Sequence, residues 1–231
     1  MPSQLLLLGH RGARRYAPEN TLAAFDLALQ HGADGFEFDV RCTRDRQTIL
    51  CHDPKLNRLV LRRHNLKKIQ ESCNGSEQLP SCLEEVLDRY RNSFLNIEVK
   101  VRGIEPIIVR AVRRARPKNY FISSFLPGVV RRLYQLDGSL ALGSLAQTRW
   151  QLHRWHILPV CYVVPHYRLL TSQLIKKIHA ADKKVVTWTV NDPRQMLRAA
   201  AMGVDAIISD DTQLLVKTLG RIQTAPKGEW L

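Results

Sequence analysis

Eight short apolar stretches of strand character recur along this chain, and all but one of the gaps between them hold a stretch with helical spacing. Few folds accept that alternation. The strand stretches are residues 4–9, 35–40, 94–100, 120–125, 140–145, 157–164, 184–190 and 205–209. Helical periodicity predicts helices over 22–30, 80–90, 105–116, 128–136, 172–181, 193–202 and 212–219, with a weakly signalled connection between 145 and 157. Asn20 or Thr21 caps the first helix, and Gly32 and Gly203 are fitting stops. Strand–helix–strand units of this length are right-handed, so successive strands run parallel. Eight parallel strands close on themselves, because both ends of the sheet then find a partner. The expected class is therefore α/β, a closed (β/α)8 TIM barrel, and 231 residues suit one such domain. Two segments stand outside the alternation. Residues 48–53 are placed to fold back as a hairpin, and residues 54–80 read as a basic, irregular insertion carrying Asn74-Gly75-Ser76.

One strand carries unusual chemistry. Gly35-Phe36-Glu37-Phe38-Asp39-Val40 alternates, sending three apolar side chains to one face and Glu37 and Asp39 to the other. Two neighbouring carboxylates raise each other's pKa unless something positive lies between them. A divalent cation with oxygen ligands answers that need; solvated acids on a half-exposed edge strand are the other reading. In a barrel the chemistry gathers at the C-terminal strand ends. Those ends collect His10 and Arg11, Glu37 and Asp39, Glu98 and Lys100, Ser124 and Trp188, with His52 returned by the hairpin. Each alone has a plain structural explanation: a satisfied histidine, a Glu98–Lys100 ion pair, a core tryptophan. Together they suit attack on a phosphodiester. Glu37, Asp39 and Glu98 offer hard oxygen ligands for Mg2+ or Ca2+, Arg11 and Lys100 offset charge developing at phosphorus, and two histidines share the proton transfers.

Charge narrows the partners without naming one. The net charge of +14 favours something anionic: phosphate esters, nucleic acid or a lipid head-group surface. The basic residues are scattered, and no aromatic RNA-binding motif or zinc finger accompanies them, which speaks against a nucleic-acid-binding barrel. Within 54–80, Lys55, Arg58, Arg62, Arg63, Lys67 and Lys68 face only Glu71 and Glu77. Leu56, Leu59, Val60, Leu61, Leu66 and Ile69 either pack this segment onto the rim or receive an acyl chain. It is a solvated basic loop on the first reading and a peripheral contact for anionic lipid on the second. Five cysteines, Cys42, Cys51, Cys73, Cys82 and Cys161, show no C-x-x-C spacing, which argues against a disulfide framework or zinc site. Leu5 to Leu8 is too short for a signal peptide or anchor, so the expected location is the cytoplasm. Residues 221–231 read as a loose tail.

The order of motifs resembles the glycerophosphodiester phosphodiesterase family. The motifs are Gly9-His10-Arg11-Gly12, Pro18-Glu19-Asn20-Thr21, Glu37-Phe38-Asp39-Val40, Thr43-Arg44-Asp45, His52-Asp53, Ile97-Glu98-Val99-Lys100, Ser123-Ser124-Phe125 and Trp188-Thr189-Val190-Asn191. The resemblance implies a TIM barrel that uses a divalent metal and cleaves glycerophosphodiesters to glycerol phosphate and an alcohol. It implies Glu37, Asp39 and Glu98 as metal ligands and His10 and His52 as the acid–base pair. It further implies Arg11 and Lys100 as phosphate ligands and a cyclic glycerol phosphate intermediate, while Trp188, from its place at a strand end, is expected on the substrate side. The insertion at 54–80 then covers the barrel mouth. Arg46 stands where a glycine often follows the aspartate, and Asn57-Arg58-Leu59-Val60 replaces a more usual Asp-Arg-Thr-Thr. Lysophospholipase D action on single-chain lipids is the alternative within the same chemistry.

Overall fold

The computed structural model describes residues 5–73 and 80–220. β1 (Leu6–His10) leads through α1 (Leu22–Gln30) to β2 (Gly35–Cys42), which folds back on β3 (Thr48–Leu50). A small hairpin of β4 (Lys55–Leu56) and β5 (Leu59–Val60) comes next, then α2 (Leu66–Ser72) and α3 (Leu83–Arg89). Strand and helix then alternate through β6 (Phe94–Val99), α4 (Glu105–Ala115), β7 (Asn119–Ser124), α5 (Pro127–Leu136), β8 (Leu142–Ala146) and α6 (Arg149–Leu152). The chain finishes with β9 (Tyr162–Pro165), α7 (Ser172–His179), β10 (Lys184–Thr187), α8 (Pro193–Ala201), β11 (Ala206–Ser209) and α9 (Thr212–Leu219). Eight parallel strands close in the order β1-β2-β6-β7-β8-β9-β10-β11 and back to β1, with β3 added antiparallel on β2. Leu8 pairs with Gly35 on one side of β1, and Leu6 with Ala206 on the other. The expected (β/α)8 barrel is the fold observed.

Strand alternation divides the apolar residues into two compartments. Phe36, Phe38 and Val40 join Phe25, Tyr90 and many helical residues in the layer between barrel and helices. Phe25 and Phe36 stack there with centroids 4.2 Å apart. Leu8, Phe121, Leu145, Val164, Val186 and Ile208 form a second cluster inside the barrel. β2 is thus a central strand, paired with β1 and β6, and not the edge that its acids allowed. That choice forces both acids inward. The strands draw close at Gly35, where an added Cβ would lie 1.8 Å from the Phe94 carbonyl oxygen. At the other end of β1, Arg11 (φ 55°) and Gly12 (φ 82°) both adopt the left-handed region, turning the chain sharply over the barrel end.

Three expectations need correction. The stretch 157–164 is not one strand: residues 153–157 form a 3-10 turn and β9 begins only at Tyr162. Pro159, which lacks an amide hydrogen, lies between them. The gap before it holds α6, capped by Thr148 and Gln151 in a reciprocal capping box. The insertion is not irregular where it is described, since β4, β5 and α2 organise it. Asn74-Gly75-Ser76 and the tail 221–231 lie outside the described residues. The helix expected from residue 80 starts at Leu83, with Glu84 and Glu85 in its first turn. No disulfide joins the described residues, and no described helix is long and apolar enough to cross a membrane.

Candidate active site

Parallel register does the first assembly. His10 lies opposite Glu37, and Asp39 opposite Glu98, so adjacent strand ends deliver the acids to one point. Oxygens of Glu37, Asp39 and Glu98 lie within 4.8 Å of one another, and all three residues are buried. Burial and the negative charges of Asp39 and Glu98 push the Glu37 carboxyl well above the usual carboxylate range. Burial and Asp39 likewise raise Glu98, to about 7, against the pull of Lys100. Burial acts on Asp39 too, but Lys100, Arg11 and an Asn20 hydrogen bond outweigh it and hold that carboxyl low. Lys100 and Arg11 thus favour the ionised form of Asp39, while burial beside like charge disfavours ionisation of Glu37 and Glu98.

Two cations bind the acids together. Lys100 Nζ lies 2.7 Å from Glu98 Oε1 and 3.1 Å from Asp39 Oδ1. Arg11 Nε lies 3.1 Å from Asp39 Oδ2, its Nη1 donates to both Glu19 oxygens at 2.9 and 3.0 Å, and its backbone amide donates to Glu37 Oε2. Asn20, itself in the left-handed region, clasps Asp39 by donating to its carboxylate and accepting from its amide. Three buried carboxylate oxygens lack a hydrogen bond, and of these Asp39 Oδ1 and Glu98 Oε1 face Lys100 while Glu37 Oε1 makes no ion pair either among the described residues. Glu37 Oε1 is buried with no hydrogen-bond partner among the described residues, and so is Asn96 Nδ2. Unpartnered buried polar atoms are costly, and this oxygen lies in a cluster of acids that repel one another. The donor set of three carboxylates and the orphaned oxygen fit a hard divalent cation.

The histidines differ in setting. His10 is mostly buried; its Nδ1 lies 2.6 Å from Asp210 Oδ1, and its Nε2 is 3.9 Å from Glu37 Oε2. Burial lowers the imidazole's pKa, against the opposing hydrogen bond that the ring makes to Asp210. Asn191 in turn donates to the second Asp210 oxygen at 2.6 Å. His52 is on the rim, its Nδ1 paired with Asp53 at 2.8 Å and its carbonyl held by Arg41. β3 ends at Leu50, so His52 sits just beyond the hairpin strand. Both histidines line one cavity of about 300 Å³ together with Arg11, Glu37, Glu98, Lys100 and Trp188. Trp188 follows the end of β10; its indole donates to the Val164 carbonyl and packs edge-on against Phe125 and His166. Ser124 is elsewhere engaged, donating to the Val99 carbonyl and accepting from the Leu126 amide. Asp210, Asn96 and Gln147 were not among the sequence candidates. Asn96 shares the inward face of β6 with Glu98, and Asp210 and Gln147 directly follow the ends of β11 and β8.

The family model for glycerophosphoryl diester phosphodiesterases matches residues 10–214, which includes every one of these strand ends. This chain belongs to the glycerophosphodiester phosphodiesterase family. The Bacillus subtilis protein YhdW is 31% identical over 238 residues, covering 92% of this chain and 97% of its own. The glycerophosphodiester phosphodiesterase of Caldanaerobacter subterraneus subsp. tengcongensis is 29% identical and matches 91% of this chain and 96% of its own. A phosphodiesterase from Oleispira antarctica, solved in complex with the product sn-glycerol-3-phosphate, superposes with a TM-score of 0.81 at 25% identity, over 94% of this chain and 97% of that one. As a glycerophosphodiester phosphodiesterase, the chain is a phosphoric diester hydrolase, and the acid cluster and the two histidines share its central cavity.

Proposed function

We propose that this enzyme cleaves glycerophosphodiesters to glycerol phosphate and an alcohol, with a divalent cation held by Glu37, Asp39 and Glu98 and with protons moved by His10 and His52. The observation that carries the reading is the orphaned Glu37 Oε1 within a buried cluster of three carboxylates. Bound there, Mg2+ or Ca2+ would act as a Lewis acid on a phosphoryl oxygen and acidify a hydroxyl. Lys100 and Arg11 supply positive charge beside the acids and, with them, set where an anionic phosphate settles. His10 has Nδ1 taken by Asp210, which leaves Nε2 for the reacting atoms. Burial lowers its pKa, which favours the neutral ring suited to accept the proton of the attacking hydroxyl. His52, which lines the same cavity, delivers a proton to the departing alcohol oxygen.

The attacking group is the glycerol hydroxyl next to the phosphate. An intramolecular attack spares the entropy of fixing a separate water, so a cyclic glycerol phosphate forms first and its hydrolysis completes the reaction. The test pairs a diester with its analogue lacking that hydroxyl. The analogue reacts far more slowly and the cyclic product accumulates transiently with the parent; equal rates make water the nucleophile and remove the cyclic step. Chelator abolishes turnover and Mg2+ or Ca2+ restores it, whereas full activity after thorough chelation defeats the metal assignment. A second reading, cleavage of lysophospholipids, rests on the apolar wall that Phe125, Leu145, Trp188 and Ile208 give the same cavity. Turnover of lysophosphatidylcholine decides it.

A further inference from the structure

The mouth of this barrel carries an unpaired basic rim and a widely exposed tryptophan. The insertion is pinned to the rim: the Arg44 amide donates to the His64 carbonyl, the Leu66 amide to Asp45 Oδ1, and Leu61 and Ile69 pack with Ile49 and Cys51. Its apolar residues are thus used in holding it down. Its basic residues are not so used. Lys55, Arg58, Arg62, Arg63, Lys67 and Lys68 are all exposed, and none makes an ion pair among the described residues. Three strands further round, β8 ends at Ala146, Gln147 lines the active cavity, and α6 begins. Trp150, in the first turn of α6, is 72% exposed, with the Arg154 guanidinium 3.9 Å above its ring.

We propose that this face docks on an anionic lipid surface, with Trp150 entering the head-group layer and the basic rim of the insertion lying against the anionic head groups. This goes beyond the hydrolytic reading and does not depend on it. Indoles settle at the boundary between head groups and hydrocarbon, and clustered Lys and Arg are drawn to anionic leaflets. A second copy of this chain is a poor occupant, because it would bring the same positive rim against itself. A single-stranded nucleic acid needs open aromatic faces for stacking, and Arg154 already covers a face of Trp150. An anionic bilayer answers both the charge and the lone indole.

The experiment measures partition onto phosphatidylglycerol-rich and pure phosphatidylcholine vesicles at low salt, with tryptophan emission as second readout. Wild type binds the anionic vesicles only, added salt releases it, and its emission shifts to the blue. Joint reversal of Arg62→Glu, Arg63→Glu, Lys67→Glu and Lys68→Glu lowers partition by ~100-fold or more. Trp150→Ala lowers it by ~10-fold and removes the blue shift. Turnover of a water-soluble diester without vesicles stays unchanged in both variants, which shows that they are folded and separates this result from any failure of the hydrolytic reading. Wild type that ignores anionic vesicles, binds phosphatidylcholine equally, or binds RNA in place of vesicles overturns the proposal. So do variants that bind like wild type. The wild-type salt titration decides even where a variant fails to fold.

Discussion

A histidine gripped at one ring nitrogen offers the other in a fixed direction, and Asp210 grips His10 at Nδ1 over 2.6 Å. Asp210→Asn keeps the shape but offers an amide that favours the wrong tautomer, so kcat falls by about 10–100-fold with little change in thermal stability. His10→Ala and His52→Ala cost more, ~10²–10⁴-fold in kcat, with the fold retained; steady-state kinetics and thermal melts on all three variants check this. The acids make a separate prediction about pH. Burial and Asp39 push the Glu98 carboxyl up to about 7 and Glu37 is raised as well, so protons would compete with a cation at this cluster. Ionised carboxylates bind the cation, so its stabilising effect is weak at pH 5.5 and grows as pH rises through about 7. Melting curves with and without Mg2+ or Ca2+ at several pH values test the sign; a metal-induced shift that is flat or falls with pH contradicts it. The acids and histidines were legible because each lies in or just past a recognisable strand. Asp210 was not, because two acids follow β11 and sequence does not say which does what. Asp211 accepts from the Leu214 amide and caps α9, while Asp210 turns to His10. Arg11 was legible as a cation at the site, but its hold on Glu19 comes from a left-handed turn that residue identity hardly signals.

Elements were legible where apolar period and caps agreed, and misread where backbone geometry decided. The insertion shows why. β4 and β5 join through Asn57 and Arg58 at φ of 44° and 66°, a mirror-image turn for which glycine usually supplies the second residue. With arginine there the hairpin has no sequence signature, and the segment read as irregular. Arg46, at φ 59° after Asp45, is a similar case in the β2–β3 turn. The apolar residues of 157–164 suggested a strand, but Trp155, Leu158 and Val160 pack on the outer layer as the chain descends to β9. At Gly35 the demand is the opposite, since the residue type matters and its reason is hidden in the partner strand. Gly35→Ala places a methyl against the Phe94 carbonyl oxygen and destabilises the fold by ~3 kcal/mol or more, measured by urea denaturation.

At the scale of the whole molecule, eight recognisable strands were enough to read closure, because an open sheet would leave β1 and the last strand without partners. The inward face of β2 followed from closure, and with it the position of the acids. Closure also joins sequence positions that lie far apart. His10 stands at the end of the first strand and Asp210 just past the last, 200 residues later, and the two strands pair along their length. On a ribosome, His10 emerges early and remains without its orienting partner until β11 has been synthesised and inserted. The acid cluster needs only β2 and β6. A chain stopped before its last strand therefore holds Glu37, Asp39, Glu98 and both histidines but lacks the carboxylate that fixes the ring of His10. The orientation of His10 thus depends on the seam where the first and last strands of the barrel meet.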